Sequence, residues 1–75
     1  MKTSPSRYVV CLVNRGHKES LVVRRLYPVY PDALAEKHGM IRIVDESGED
    51  YLYPKQMFAD VDLSKSTEKK LAAAR

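Results

Sequence analysis

The chain has 75 residues, 44% hydrophobic and 31% charged, with a net charge of +3, one cysteine and no tryptophan. This is room for one small domain, which buries only ~60% of the surface its unfolded form exposes, and the balance is that of a globular chain rather than a disordered one. No apolar run approaches the ~20 residues of a transmembrane helix, the apolar run after Tyr8 is shorter than the ~7–15 residues of a secretory signal core, and a cytoplasmic protein is expected. One cysteine excludes an internal disulfide and a cysteine-rich metal site.

The excess of positive charge lies at the ends of the chain. Between Arg7 and Leu63 there are eight Lys/Arg and nine Asp/Glu, a net of −1. Lys2, Lys65, Lys69, Lys70 and Arg75 against Glu68 supply the rest, where charge gives weak, salt-sensitive attraction without sequence readout. The body is polarised, because residues 7–25 carry five basic groups and one acidic, whereas residues 26–63 carry three basic and eight acidic.

In chain order, residues 1–6 (MKTSPS) predict a loose arm and residues 7–63 the folded domain. Tyr8 to Val13, β-branched and aromatic, reads as a buried strand, ended by the turn chemistry of residues 14–20. Leu21 to Tyr30 reads as a second strand, kinked toward an edge by Pro28 and Pro31, which cannot donate to a ladder. Asp32 to Gly39 carries a helical signal, with Asp32 as N-cap and a C-terminal glycine, and predicts a short helical turn over 32–38. Met40 to Val44 and Tyr51 to Tyr53 flank the polar loop DESGED and predict a hairpin. Pro54 to Phe58 predicts a 3₁₀ turn, followed by a last strand over Ala59 to Leu63. Residues 64–75 form a basic tail, disordered or marginally helical, because ~10 residues without an apolar face hold a helix poorly in water. Its KLAAAR end resembles a cloning-vector linker.

The four carboxylates Asp45, Glu46, Glu49 and Asp50 invite a chemical reading. A calcium loop wants a glycine at its sixth position and a glutamate at its twelfth, but Gly48 is the third residue after Asp45 and the flanks are strands. A solvated turn is expected instead. His17 and His38 stand in separate loops without ligand spacing, and Cys11 sits mid-strand as a small buried hydrophobe. With no phosphate-binding, dinucleotide or nucleophile-elbow pattern, no enzyme, no metal and no cofactor is expected. Arg24 and Arg25 with Tyr27 and Tyr30 are the only basic and aromatic interleaving in the body.

The order of elements, with a long first loop, a hairpin across Gly48 and a 3₁₀ turn before the last strand, resembles the Src-homology-3-like small barrel. The family segment W-W-K-A-R-x-N-G-R-E-G-Y-I-P-S-N-Y-V lays without gaps on Ile41 to Phe58, with Gly48 on the hairpin glycine, Pro54 on the proline opening the 3₁₀ turn and Phe58 on the core valine. Tyr51 stands where the family has a glycine, Ile41 replaces the ligand-stacking tryptophan and Met57 the ligand-stacking tyrosine. The resemblance therefore implies an all-β, five-stranded barrel without the groove that grips a polyproline helix. The runs VDESGEDYLYP and LYPVYPD also resemble a set of small bacterial proteins with no assigned role.

The expectation is a non-enzymatic protein-interaction module or small accessory subunit of a bacterial assembly, monomeric or weakly dimeric, without a membrane. Its proposed contact surface is Tyr27, Tyr30, Ile41, Tyr53 and Met57, bordered by Arg24, Arg25 and Arg42. The alternative is a nucleic-acid-binding barrel that uses Arg15, Lys18, Arg24, Arg25 and the basic tail on phosphates.

Overall fold

The computed structural model describes residues 5–73, and the first four residues of the expected arm and the last two of the tail lie outside that range. Its elements are β1 (Arg7–Cys11), β2 (Leu26–Tyr30), α1 (Ala33–Lys37), β3 (Met40–Val44), β4 (Asp50–Pro54), a 3₁₀ turn (Lys55–Met57), β5 (Phe58–Asp60) and α2 (Lys65–Ala73). The five strands form one antiparallel sheet in the order β4-β3-β2-β1-β5, curled into a half-barrel. The fold is mostly β, and its last strand returns beside its first.

The core follows from the two-residue period of the strands. Val9 and Cys11 of β1, Tyr27 and Val29 of β2, Ile41 and Ile43 of β3, Tyr53 of β4 and Phe58 of β5 all point to the concave side, and Leu21 closes it from the first loop. Fully burying a Val, Leu or Ile side chain contributes about 1.5–3 kcal/mol, and Val9, Leu21, Val29, Ile41 and Ile43 are all fully buried.

Local signals place the second half of the chain. The Asp32 side chain accepts the Ala35 N–H at 3.0 Å and starts α1, and Gly39, at φ +75°, ends it. Gly48, at φ +84°, turns the β3–β4 hairpin, a conformation that costs glycine nothing. Asp45 and Glu49 close the tip, the Asp45 N–H donating to the Glu49 carbonyl at 3.2 Å.

The first half departs from expectation. β1 stops at Cys11, because the Leu12 and Val13 amides turn to the Met57 carbonyl at 2.8 and 3.3 Å. The second strand does not begin at Leu21 but at Leu26. Residues 21–25 make a turn in which the Arg25 N–H donates to the Val22 carbonyl at 3.2 Å, with Arg24 at φ 74°. The last strand lies over Phe58–Asp60, displaced toward the 3₁₀ turn from the expected 59–63. Ser6, expected in the arm, is tied to the sheet by its amide and hydroxyl, both donating to the Val29 carbonyl. Lys65–Ala73 is helical, and its first turn is capped where the Ser64 hydroxyl accepts the Thr67 N–H at 3.1 Å. No helix among the described residues is long and apolar enough to cross a membrane.

Candidate functional site

The eight residues expected to make a contact surface divide into interior and exterior groups. Tyr27, Ile41 and Tyr53 are core residues, so their side chains offer nothing to a partner. Their neighbours in register carry the reason, since Tyr27 shares a face with buried Val29, and Ile41 with buried Ile43. Tyr30 and Met57 are half-buried, while Arg24 and Arg25 are exposed. Arg42 lies outside the core, its guanidinium spanning Asp32 at 2.6 Å and Asp50 at 2.9 Å. These ion pairs hold its pKa above the usual arginine value.

The hairpin tip is not uniformly wet. Glu46, Ser47, Gly48 and Glu49 are exposed, but Asp45 is only 6% exposed. One of its oxygens accepts the Ser47 N–H at 2.9 Å and the Ser47 hydroxyl at 2.5 Å, and the other accepts the Tyr53 hydroxyl at 2.6 Å. Burial pushes the Asp45 carboxyl up, and the bonds from Ser47 and Tyr53 more than offset it, leaving a net lowering. Tyr53 is in turn 3.1 Å from the Ser20 hydroxyl, and His17 stacks edge-on against its ring with centroids 5.1 Å apart. These groups floor a hollow of about 420 Å³ between the first loop and β4.

A second polar link runs from the first loop to the same tip. The Tyr27 hydroxyl donates to Glu46 at 2.5 Å and accepts the Val22 N–H at 2.8 Å, and Glu46 also takes Arg25 at 3.1 Å. Burial, reinforced by the Glu46 carboxylate, pushes the Tyr27 phenol up to about 12. Each polar side-chain atom buried among the described residues has a partner. No group of three His, Cys, Asp or Glu side chains is placed there to hold a metal ion. His38 is exposed, and Cys11 is a fully buried free thiol whose pKa burial raises.

What the sequence reading missed is an aliphatic stretch on the first loop. The Arg24 N–H donates to the Cys11 carbonyl at 2.7 Å and the Cys11 N–H to the Arg25 carbonyl at 3.0 Å, while the Asn14 side-chain Nδ2 donates to the Leu21 carbonyl at 3.0 Å. Residues 12–13 and 22–23 therefore run side by side, and Leu12, Val13, Val22 and Val23 are all exposed, Leu12 by 52%. Val13, Pro54 and Met57 line a neighbouring hollow of about 430 Å³ with Arg15 and Gln56 at its border. Alternation gave no signal for the two valines, because neither Val22 nor Val23 reaches the core and the run has the propensity of a buried strand.

No family model, curated protein or solved structure matches this chain.

Proposed function

We propose that this chain is a protein-interaction module on a Src-homology-3-like small barrel, acting alone or as a small accessory subunit. Its docking surface is the aliphatic stretch Leu12, Val13, Val22 and Val23 with the adjoining hollow at Met57. The barrel reading is supported by the long first loop, the hairpin across Gly48 and the 3₁₀ turn before β5. The observation that carries the docking surface is the exposure of four large aliphatic side chains on two backbone segments held side by side. Exposed aliphatic side chains gathered on neighbouring segments mark a contact site more often than singly scattered ones do. Arg15, Lys18 and Arg24 are exposed on the same loop and make no ion pair with a carboxylate among the described residues. The fitting partner is therefore an apolar protein segment with acidic flanks.

The test is affinity capture of the tagged full chain from lysate of its own cells, comparing wild type with a Val13→Asp/Val22→Asp variant and a Leu34→Asp control on α1. Thermal melts establish that all three fold. Loss of partners from the double variant alone supports the surface, and an unchanged partner set refutes it. The same three unpaired basic groups favour a second reading, binding to nucleic acid. That reading predicts retention of RNA or DNA that weakens steeply with salt, and no retention near physiological ionic strength sinks it.

A further inference from the structure

We infer that two copies of this chain pair through the free edge of β4, antiparallel and centred on Leu52. This interface is separate from the aliphatic stretch on the first loop. β4 terminates the sheet, with β3 on one side and no strand on the other among the described residues. The ladder shows which of its groups are free. The Lys55 N–H donates to the Gly39 carbonyl and the Asp45 N–H to the Glu49 carbonyl, and the register pairs Ile41 with Tyr53 and Ile43 with Tyr51. Hydrogen-bonded positions therefore fall on 49, 51, 53 and 55, and alternation leaves Asp50, Leu52 and Pro54 with their backbone groups facing away from β3. An open row of this kind is a template for strand addition. Nothing blunts it at its centre, where Leu52 is 43% exposed.

A second copy is the occupant because one register of the strand against itself is complementary. With Leu52 opposite Leu52, the Leu52 amides and carbonyls bond reciprocally and each Asp50 N–H meets the Pro54 carbonyl of the second copy. The proline's missing donor then costs a single bond at each end. Glu49 of each copy comes beside Lys55 of the other, so the charges at both ends of the strand are opposed. Tyr51, 49% exposed, comes opposite Tyr53 of the second copy, at the floor of the hollow beside β4. Shifting to Tyr51 opposite Tyr51 sets Leu52 against Asp50 and unmatches Glu49 and Lys55. Shifting to Asp50 opposite Asp50 apposes like charges across the axis. Two five-residue edges bury little surface, so the dimer belongs to the weak class and forms with rising concentration.

Sedimentation equilibrium of the full chain over a concentration series tests this. A monomer–dimer equilibrium is expected, weakened about tenfold or more by Leu52→Lys, which sets two like charges on the axis. Glu49→Lys and Lys55→Glu each weaken it, and the double exchange restores it, because the opposed pairs are re-formed with signs reversed. Hydrogen exchange at the Leu52 amide slows as the dimer forms. These side chains are exposed, and a wild-type thermal melt verifies each variant's fold. A chain monomeric up to about millimolar concentration, a dimer indifferent to Leu52→Lys, or a double exchange that fails to restore association overturns the proposal.

Discussion

The Tyr53 hydroxyl donates to the carboxylate of Asp45 at 2.6 Å, joining the far end of β4 to the tip of its own hairpin beneath the first loop. A hydrogen bond to a charged group contributes about 1.5–3 kcal/mol, and deleting its donor leaves a buried oxygen short of a partner. Tyr53→Phe keeps the ring against His17 and Phe58 and removes only this link and the Ser20 contact. Equilibrium urea unfolding is expected to show a loss of about 1.5–3 kcal/mol with an unchanged slope.

Acid stability follows from the same carboxylate. Burial raises the pKa of Asp45, but bonds from Ser47 and Tyr53 bring it below the ordinary 3.8, and Asp32 is lowered by the Ala35 N–H and then by Arg42. Because the native carboxyls bind fewer protons than the unfolded ones, their stabilisation is full above the unfolded pKa and is lost as pH falls through the lower native value. Urea midpoints should fall as pH drops below about 4, and Asp45→Asn should flatten that fall while lowering the midpoint at neutral pH.

Alkali acts on Tyr27. Its phenol is pushed from 10.0 up to about 12, first by burial and then by Glu46, so the folded chain holds its proton where the unfolded chain has released it. Stability from this group is complete below pH 10 and declines as pH rises toward 12. The loss expected from this group is on the order of a few kcal/mol. Unfolding at rising pH should show this loss, with tyrosinate absorbance appearing late. Tyr8 and Tyr53 are raised as well, by burial. Tyr27→Phe should therefore reduce the alkaline slope without abolishing it.

The readable half of the molecule is the half with local causes. Asp32 and Gly39 bound α1, Gly48 turns the hairpin and Pro54 opens the 3₁₀ turn, each by backbone chemistry confined to a few residues. Leu21 to Arg25 was not readable, since LVV has strand propensity and only the pairing of Cys11 with Arg24 and Arg25 bends it into a turn. The burial of Asp45 depends on Tyr53, eight residues away, and on Glu46 N–H donating to the Ser20 carbonyl, which draws the first loop over the tip. For the contact surface, alternation with Val29 and Ile43 already pointed Tyr27 and Ile41 inward. The family resemblance, which sets Ile41 on a ligand-stacking position, pointed Ile41 outward.

Arg24 is the one non-glycine with positive φ among the described residues, at 74°. Its amide donates to the Cys11 carbonyl at 2.7 Å and the next amide donates to Val22, so the turn is pinned and the side chain must accept the left-handed conformation. For an L-residue that conformation costs about 1–2 kcal/mol, which glycine avoids, although glycine returns about 0.5–1 kcal/mol through the greater freedom of its unfolded chain. Arg24→Gly should therefore raise the unfolding free energy by up to about 1.5 kcal/mol. Arg24→Val, β-branched and intolerant of positive φ, should lower it. Urea unfolding of the two variants beside wild type measures both, and a midpoint for Arg24→Gly below wild type would show that contacts of the arginine side chain, rather than its backbone, hold the turn. Arg24 also borders the aliphatic stretch at 12–13 and 22–23, so on the proposed function Arg24→Gly should bind an acid-flanked partner less well while folding more stably.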